Sequence, residues 1–272
     1  MLSFALAVAY ALFLWWFSTG LILYLDRRPR ATYRWSIAGA TLLLVLAIAS
    51  LIWIRDQPSA LGAYLGFTCG VVVWGWLEIT YFMDFITGPR KAPCPPACGH
   101  WRRFWLGVQT SLYHELAIIA FGVLLAAIGW GAANPVGAWT FAILWWMRWS
   151  AKLNLFFGVP NLNEDWLPEH IRFLATYLAK RPMNPLFPVS VTVATVAMAV
   201  LIEAALDYPS GSFAALALLL NATLLALAIL EHWFLVLPVA DTALWQWAFD
   251  ASATTKPAFA ATQTDQEQPA PL

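Results

Sequence analysis

Residues 35–54 read WSIAGATLLLVLAIASLIWI, an uncharged apolar run closed by Arg55-Asp56. A hydrocarbon core of about 30 Å is crossed by roughly 20 apolar helical residues, and this run has that length. Working outward, the same measure finds Leu2 to Leu25, which stops at Asp26-Arg27-Arg28, and Ala60 to Thr87, interrupted by Glu78 and Asp84. Further on come Phe104 to Trp130, Val136 to Phe157 (with Arg148 and Lys152 in its last turns), Pro188 to Leu206 and Phe213 to Leu237. The pattern predicts an all-α integral membrane protein: about seven transmembrane helices in one polytopic domain over residues 1–249.

Composition agrees. Of 272 residues, 61% are hydrophobic and 11% charged, against about 25% charge in a soluble domain. So few charges cannot cover a water-facing surface, so the expected solvent is the lipid bilayer. The 17 tryptophans suit the headgroup boundary, where an indole is half wet. A net charge of zero gives no footprint for nucleic acid. The cysteines Cys69, Cys94 and Cys98 are too few for a disulfide scaffold. The first apolar run lacks a basic leader and a small-residue cleavage site, so it reads as a retained helix rather than a signal peptide.

Lysine and arginine set the orientation. The loop after the first run carries Arg27, Arg28, Arg30 and Arg34. The next loop on that side carries Arg90, Lys91, Arg102 and Arg103. Arg148, Lys152, Arg172, Lys180 and Arg181 follow, then Lys256, which puts 14 of 15 basic residues on one side and Arg55 alone on the other. The rule makes the rich side cytoplasmic, with the amino terminus outside and the carboxyl terminus inside.

Residues 159–187 form a cytoplasmic excursion. Asp165 is placed to cap a helix with Pro168 in its first turn, and Ile171, Leu174 and Leu178 would form its apolar stripe. The expectation is an amphipathic helix, either lying on the membrane surface or packed under the bundle. Residues 250–272, rich in Ala, Thr, Gln and Pro, read as a disordered cytoplasmic tail.

Ionisable groups within apolar spans are costly and mark function or pairing. Glu78 lies ten residues before Gly88, His114 ten after Phe104, and Arg148 ten before Gly158, while Glu231 and His232 precede Pro238 by six or seven. At 1.5 Å per residue, all sit in the cytoplasmic half. Arg148 and Lys152 share a helix face at i, i+4, as Glu78 and Tyr81 do at i, i+3. Two readings stand. In one, Glu78, Glu115 and Glu231 neutralise Arg148 and Lys152, and the histidines complete a hydrogen-bond network. In the other, Glu78, His114, Glu115, Glu231 and His232 bind a ligand: a metal suited to carboxylate and imidazole, or a chlorophyll-type pigment held by one histidine. Tyr81, Arg148, Lys152 and Asn154 would support the cluster. Asn161, Asn163, Glu164 and His170, where the fifth helix leaves the membrane, would cap and turn the backbone or close the mouth of the cluster.

Cys94-Pro-Pro-Ala-Cys98 with His100 offers three ligands where zinc normally takes four. No Walker-type loop, H-E-x-x-H or serine elbow is present; His114-Glu115 is followed by Leu116, Ala117 and Ile118. Hydrolysis and phosphoryl transfer lack apparatus.

Several of these segments resemble one known family. They are Glu78 to Arg90 (EITYFMDFITGPR), Tyr113 to Ala117 (YHELA), Lys152 to Asn161 (KLNLFFGVPN), Asn163 to His170 (NEDWLPEH), Arg181 to Pro188 (RPMNPLFP) and Glu231 to Phe234 (EHWF). Together they resemble the PuhE family of photosynthetic complex assembly proteins over roughly Trp74 to Pro238. The resemblance implies a multi-pass protein of the bacterial inner or intracytoplasmic membrane, with its amino terminus periplasmic. It implies a role in reaction-centre and light-harvesting biogenesis and bacteriochlorophyll supply, with those subunits and pigment as partners. It supplies no catalytic residues. It makes a bacteriochlorophyll-type tetrapyrrole, or a metal ion acting on one, a more plausible ligand. The competing expectations are a metal-dependent membrane oxidoreductase or hydratase acting on a pigment or lipid, and a small transporter. Against the transporter, paired Gly/Pro-interrupted helices are not visible.

Overall fold

The computed structural model describes residues 2–162, 167–239 and 241–253. Among them there is no strand; the chain is a bundle of helices. These are α1 (Leu2–Asp26), α2 (Tyr33–Ile54), α3 (Ala60–Phe82), α4 (His100–Gly129), α5 (Val136–Phe157), α6 (Leu186–Leu206), α7 (Phe213–Phe234) and the short α8 (Gln246–Ala253). Six of them, α1–α4, α6 and α7, are long and apolar enough to cross a membrane. The remaining long helix, α5, carries Arg148 and Lys152 and packs against α3, α4 and α7.

Successive helices run antiparallel between two ends, and hydrogen bonds tie each end together. At one end Ser3 and Ser210 hydroxyls meet at 2.6 Å, and Asn134 donates to Gly62 O at 2.9 Å while its backbone N–H reaches Arg55 O at 2.8 Å. At the other, Val159 donates to Ala179 O and Asn161 to Leu235 O, both at 3.1 Å. Every other lysine or arginine outside the spans that the structure describes lies at this second, basic end.

The centre is α3, packed against α1, α2, α4, α5 and α7. Small residues allow the closest approaches: a Cβ on Gly70 would stand 2.8 Å from Gly137 O of α5. Phe67, Val136, Leu220 and Leu224 fill the space between α3, α5 and α7, and Val73, Leu77, Ile118 and Phe141 fill the space toward α4.

One expectation is corrected. The third apolar run does not stay helical to Thr87. It ends at Phe82, Asp84 turns through a positive φ of 65°, and Phe85 and Ile86 N–H groups both return to Thr80 O. The released segment docks on α4. Thr87 O accepts from His114 N–H at 2.9 Å and Arg90 N–H donates to Gln109 O at 3.3 Å, where α4 bends at Ser111 (φ −127°, ψ 15°). A Cβ on Gly88 would lie 2.1 Å from Gln109 O, so only glycine permits this approach.

The excursion forms the expected amphipathic helix as a 3-10 run, Glu169–Tyr177, with Ile171 and Tyr177 buried. Anchors to residues far away in the chain hold it under the bundle. His170 Nε2 donates to Phe82 O at 2.7 Å, and the Tyr177 hydroxyl donates to Ala92 O at 2.8 Å while taking Arg90 Nε at 2.6 Å. The expected Asp165 cap lies outside the described residues. At the far end α8 runs through Ala253; the rest of the expected tail, 254–272, is outside the described residues.

Candidate functional site

Arg148 and Lys152 stand one turn apart on α5, and each meets a carboxylate from a different helix. Arg148 donates to Glu78 of α3 at 2.9 Å, and Lys152 to Glu115 of α4 at 2.5 Å. The other oxygen of Glu115 accepts Trp149 Nε1 at 2.7 Å. On α7, Glu231 accepts Trp15 Nε1 of α1 at 2.7 Å. Helices α1, α3, α4, α5 and α7 thus each bring a polar group to one interior space.

That space is a cavity of about 770 Å³. Trp15, Trp74, Phe82, Phe104, Trp149 and Phe156 give it an aromatic wall, and Leu162, Leu174, Tyr177 and Trp245 close it toward the basic end. Its volume falls in the range of small-molecule sites, whose walls are mostly apolar with a few placed polar groups. Two buried polar atoms at its lining, Glu78 Oε1 and Arg148 Nε, have no hydrogen-bond partner among the described residues. Unsatisfied buried groups are expensive, and they are directional features a ligand can use.

The other sequence candidates divide sharply. Tyr81 lines the cavity, with Lys152 Nζ 5.5 Å from its ring centre. His114 does not line it. It is fully buried against Tyr81, ring centres 4.6 Å apart, with neither nitrogen hydrogen-bonded. His232 turns away as well: Nδ1 donates to Ala228 O at 2.8 Å, which leaves Nε2 to accept from Ser150 at 2.9 Å. The Ser150–His232 pair lies off the cavity and ties α5 to α7. Asn154 is buried and donates to Ser150 O and Ser190 Oγ. Asn161 lines the cavity edge and donates to the carbonyls of Phe234 and Leu237, capping the end of α7. His170 caps the end of α3 through Phe82 O. Asn163 and Glu164 lie outside the described residues.

Among the described residues no three His, Cys, Asp or Glu side chains gather as metal ligands. The reason is visible at Glu78 and Glu115, whose carboxylates are held by Arg148 and Lys152. Cys94 and Cys98 face each other at 2.7 Å in the loop before α4, without a third donor. Burial and the neighbouring Cys98 thiol push the Cys94 thiol up, away from the reactive thiolate. The arrangement as a whole is a chamber with an aromatic wall carrying a strip of charge.

Trp15, Trp149 and Trp245 are contributors that spacing alone did not find. The signal was available, because Trp15 sits mid-way along an apolar run rather than at a headgroup boundary.

Comparison with known proteins gives a family. The model of the family described as "Protein of unknown function (DUF3623)" matches residues 1–256. A protein of Rhodobacter capsulatus, described as "Uncharacterized 30.4 kDa protein in puhA 5'region", is 42% identical over 241 residues, 87% of each chain. No solved structure matches the chain.

Proposed function

The chain belongs to the DUF3623 family, and from that premise we propose that it is a photosynthetic complex assembly factor of the PuhE type. It supports reaction-centre and light-harvesting biogenesis and bacteriochlorophyll supply from within the inner or intracytoplasmic membrane. One observation carries the reading: the relative that is 42% identical to this chain over 241 residues is named for its place in the puhA 5′ region. The resemblance of residues 74–238 to the PuhE family points the same way. The cavity supports a holding role, since an aromatic chamber between membrane helices suits a flat apolar pigment or precursor better than it suits a soluble metabolite.

Deleting the gene in a phototrophic host tests this. Near-infrared absorbance of membranes is expected to show fewer reaction-centre and light-harvesting complexes, restored by the wild-type chain, with no chemically new pigment accumulating. Unchanged complex levels would sink the proposal. Accumulation of one modified pigment would replace it with the enzyme reading.

The orientation belongs to the same proposal. The basic end, where α1, α3, α5 and α7 terminate, is the cytoplasmic face, and Arg55 marks the periplasmic one. Reporter fusions after Ala253 and within 207–212 check it: alkaline phosphatase activity is expected only from the second.

A further inference from the structure

Five charged residues line the cavity among the described residues: Glu78, Glu115 and Glu231 against Arg148 and Lys152. The two cations are each committed to one carboxylate, Arg148 to Glu78 and Lys152 to Glu115. Glu231 is left over. Among the described residues its one hydrogen-bond donor is the neutral indole N–H of Trp15, accepted by one oxygen. Three carboxylates against two cations leave the polar strip with one carboxylate that is paired with no cation among the described residues. The Glu78 residue is 7% exposed and its Oε1 has no partner, although the residue lines the same space.

Glu231 is an exposed residue that lines this mostly apolar space, so its carboxylate is open to whatever enters, and an ionisable group within apolar spans usually meets a partner. We propose that the cavity binds an apolar molecule through one electron-poor centre seated on Glu231, with Trp15 orienting the carboxylate and Glu78 Oε1 as a second acceptor. Two sources share this chemistry: the ammonium head of an amphiphile, and the metal centre of a flat macrocycle, which takes a carboxylate oxygen as an axial ligand. The aromatic wall fits either apolar body. An anionic head is disfavoured, because it would add to the excess charge while both cations are already paired. The inference deepens the holding role proposed above and rests on the same cavity. It is read on purified protein, so it can stand if the deletion strain assembles normally, and fail if it does not.

The test uses the full chain in mild detergent and two matched pairs of probes: tetradecylamine against tetradecanoate, and zinc etioporphyrin against metal-free etioporphyrin. Quenching of tryptophan fluorescence reports entry, since Trp15, Trp74, Trp149 and Trp245 line the cavity; a Soret shift reports axial ligation. Saturable binding of the amine over the acid assigns an ammonium head. Saturable binding of the zinc form over the metal-free form assigns a metal centre. Either preference is expected to weaken by about tenfold or more in Glu231→Gln, the loss of one charge-assisted contact, because the amide keeps the Trp15 hydrogen bond and removes the charge. Equal binding within both pairs, no saturable binding by any probe, or unchanged affinity in Glu231→Gln overturns the proposal. Should Glu231→Gln fail to accumulate, the wild-type preference within each pair decides.

Discussion

Helices α6 and α7 lie side by side and are both apolar enough to cross a membrane, yet 11% of the most apolar stretch of α6 is buried inside the protein against 61% of that of α7. Apolarity therefore says that a segment avoids water without saying whether lipid or protein replaces it. In lipid no hydrophobic force drives helices together; close packing and interhelical hydrogen bonds do. Helix α7 carries the means. Asn221 accepts from Thr140 of α5 at 3.1 Å, His232 from Ser150 at 2.9 Å, and Glu231 from Trp15 of α1 at 2.7 Å. Outward, α6 presents valines. The same contrast separates central α3 from peripheral α2, and it can be broken or sharpened by substitution.

The largest effect is expected at the part-buried charge pair. In Arg148→Leu, Glu78, already almost wholly buried, loses the cation it is paired with. Removing one partner of a fully buried pair destabilises by about 3–5 kcal/mol; with the Arg148 side chain 32% exposed a loss of up to about 3 kcal/mol is expected, and unfolding by graded SDS in mixed micelles would show it. The double variant Arg148→Leu/Glu78→Leu should recover most of the loss, since a matched apolar pair leaves no stranded charge. A double variant as unstable as the single one would mean the pair does more than neutralise itself.

Glycine comes next. Gly70→Val drives a side chain into Gly137 O and Thr140 Cβ, each 2.8 Å from the added Cβ, whereas a Cβ on Gly39 of α2 meets nothing within 4 Å. Overpacking at Gly70 should cost about 1–3 kcal/mol, and Gly39→Val should stay within about 0.5 kcal/mol. The same unfolding assay compares them; equal costs would remove the distinction between centre and periphery. A smaller effect is expected across α5 and α7. A double-mutant cycle on Thr140→Val and Asn221→Ala should return a coupling of about 0.6 kcal/mol, the typical value for a hydrogen bond between membrane helices.

The sequence shows the spans clearly because each apolar run is long and ends in charge, glycine or proline, as Ile54 does at Arg55-Asp56 and Phe157 at Gly158. It shows half of the site for a related reason. Counting residues inward from Gly88 and Gly158 put Glu78 and Arg148 at one depth, and the two meet. Depth carries no azimuth, however, so His114 and His232 were placed at the right level and yet face away from the cavity. The bend at Ser111 was invisible because it arises from tertiary contact. Thr87 and Arg90 take over hydrogen bonds at His114 and Gln109, and Gly88 lets them approach. The 3-10 run at 169–177 escaped for the same reason: an apolar stripe is legible, and the anchors at Phe82 O and Ala92 O are not.

The smallest effect is expected on the outer face of α6, and it tests the comparison most directly. Val189, Val193, Val196 and Val200 recur at helical spacing and are 52–58% exposed. If lipid is their only neighbour, exchanging Val193 and Val196 for leucine leaves an apolar surface in an apolar solvent. Stability should then move by less than about 0.5 kcal/mol, and complex assembly in the host should not change. A loss of complexes at unchanged stability would show that the face is read by shape. Lipid does not distinguish valine from leucine in that way, and a packed partner helix does. In that outcome α6 would be peripheral only to this chain, and its low burial would mark where a second protein docks.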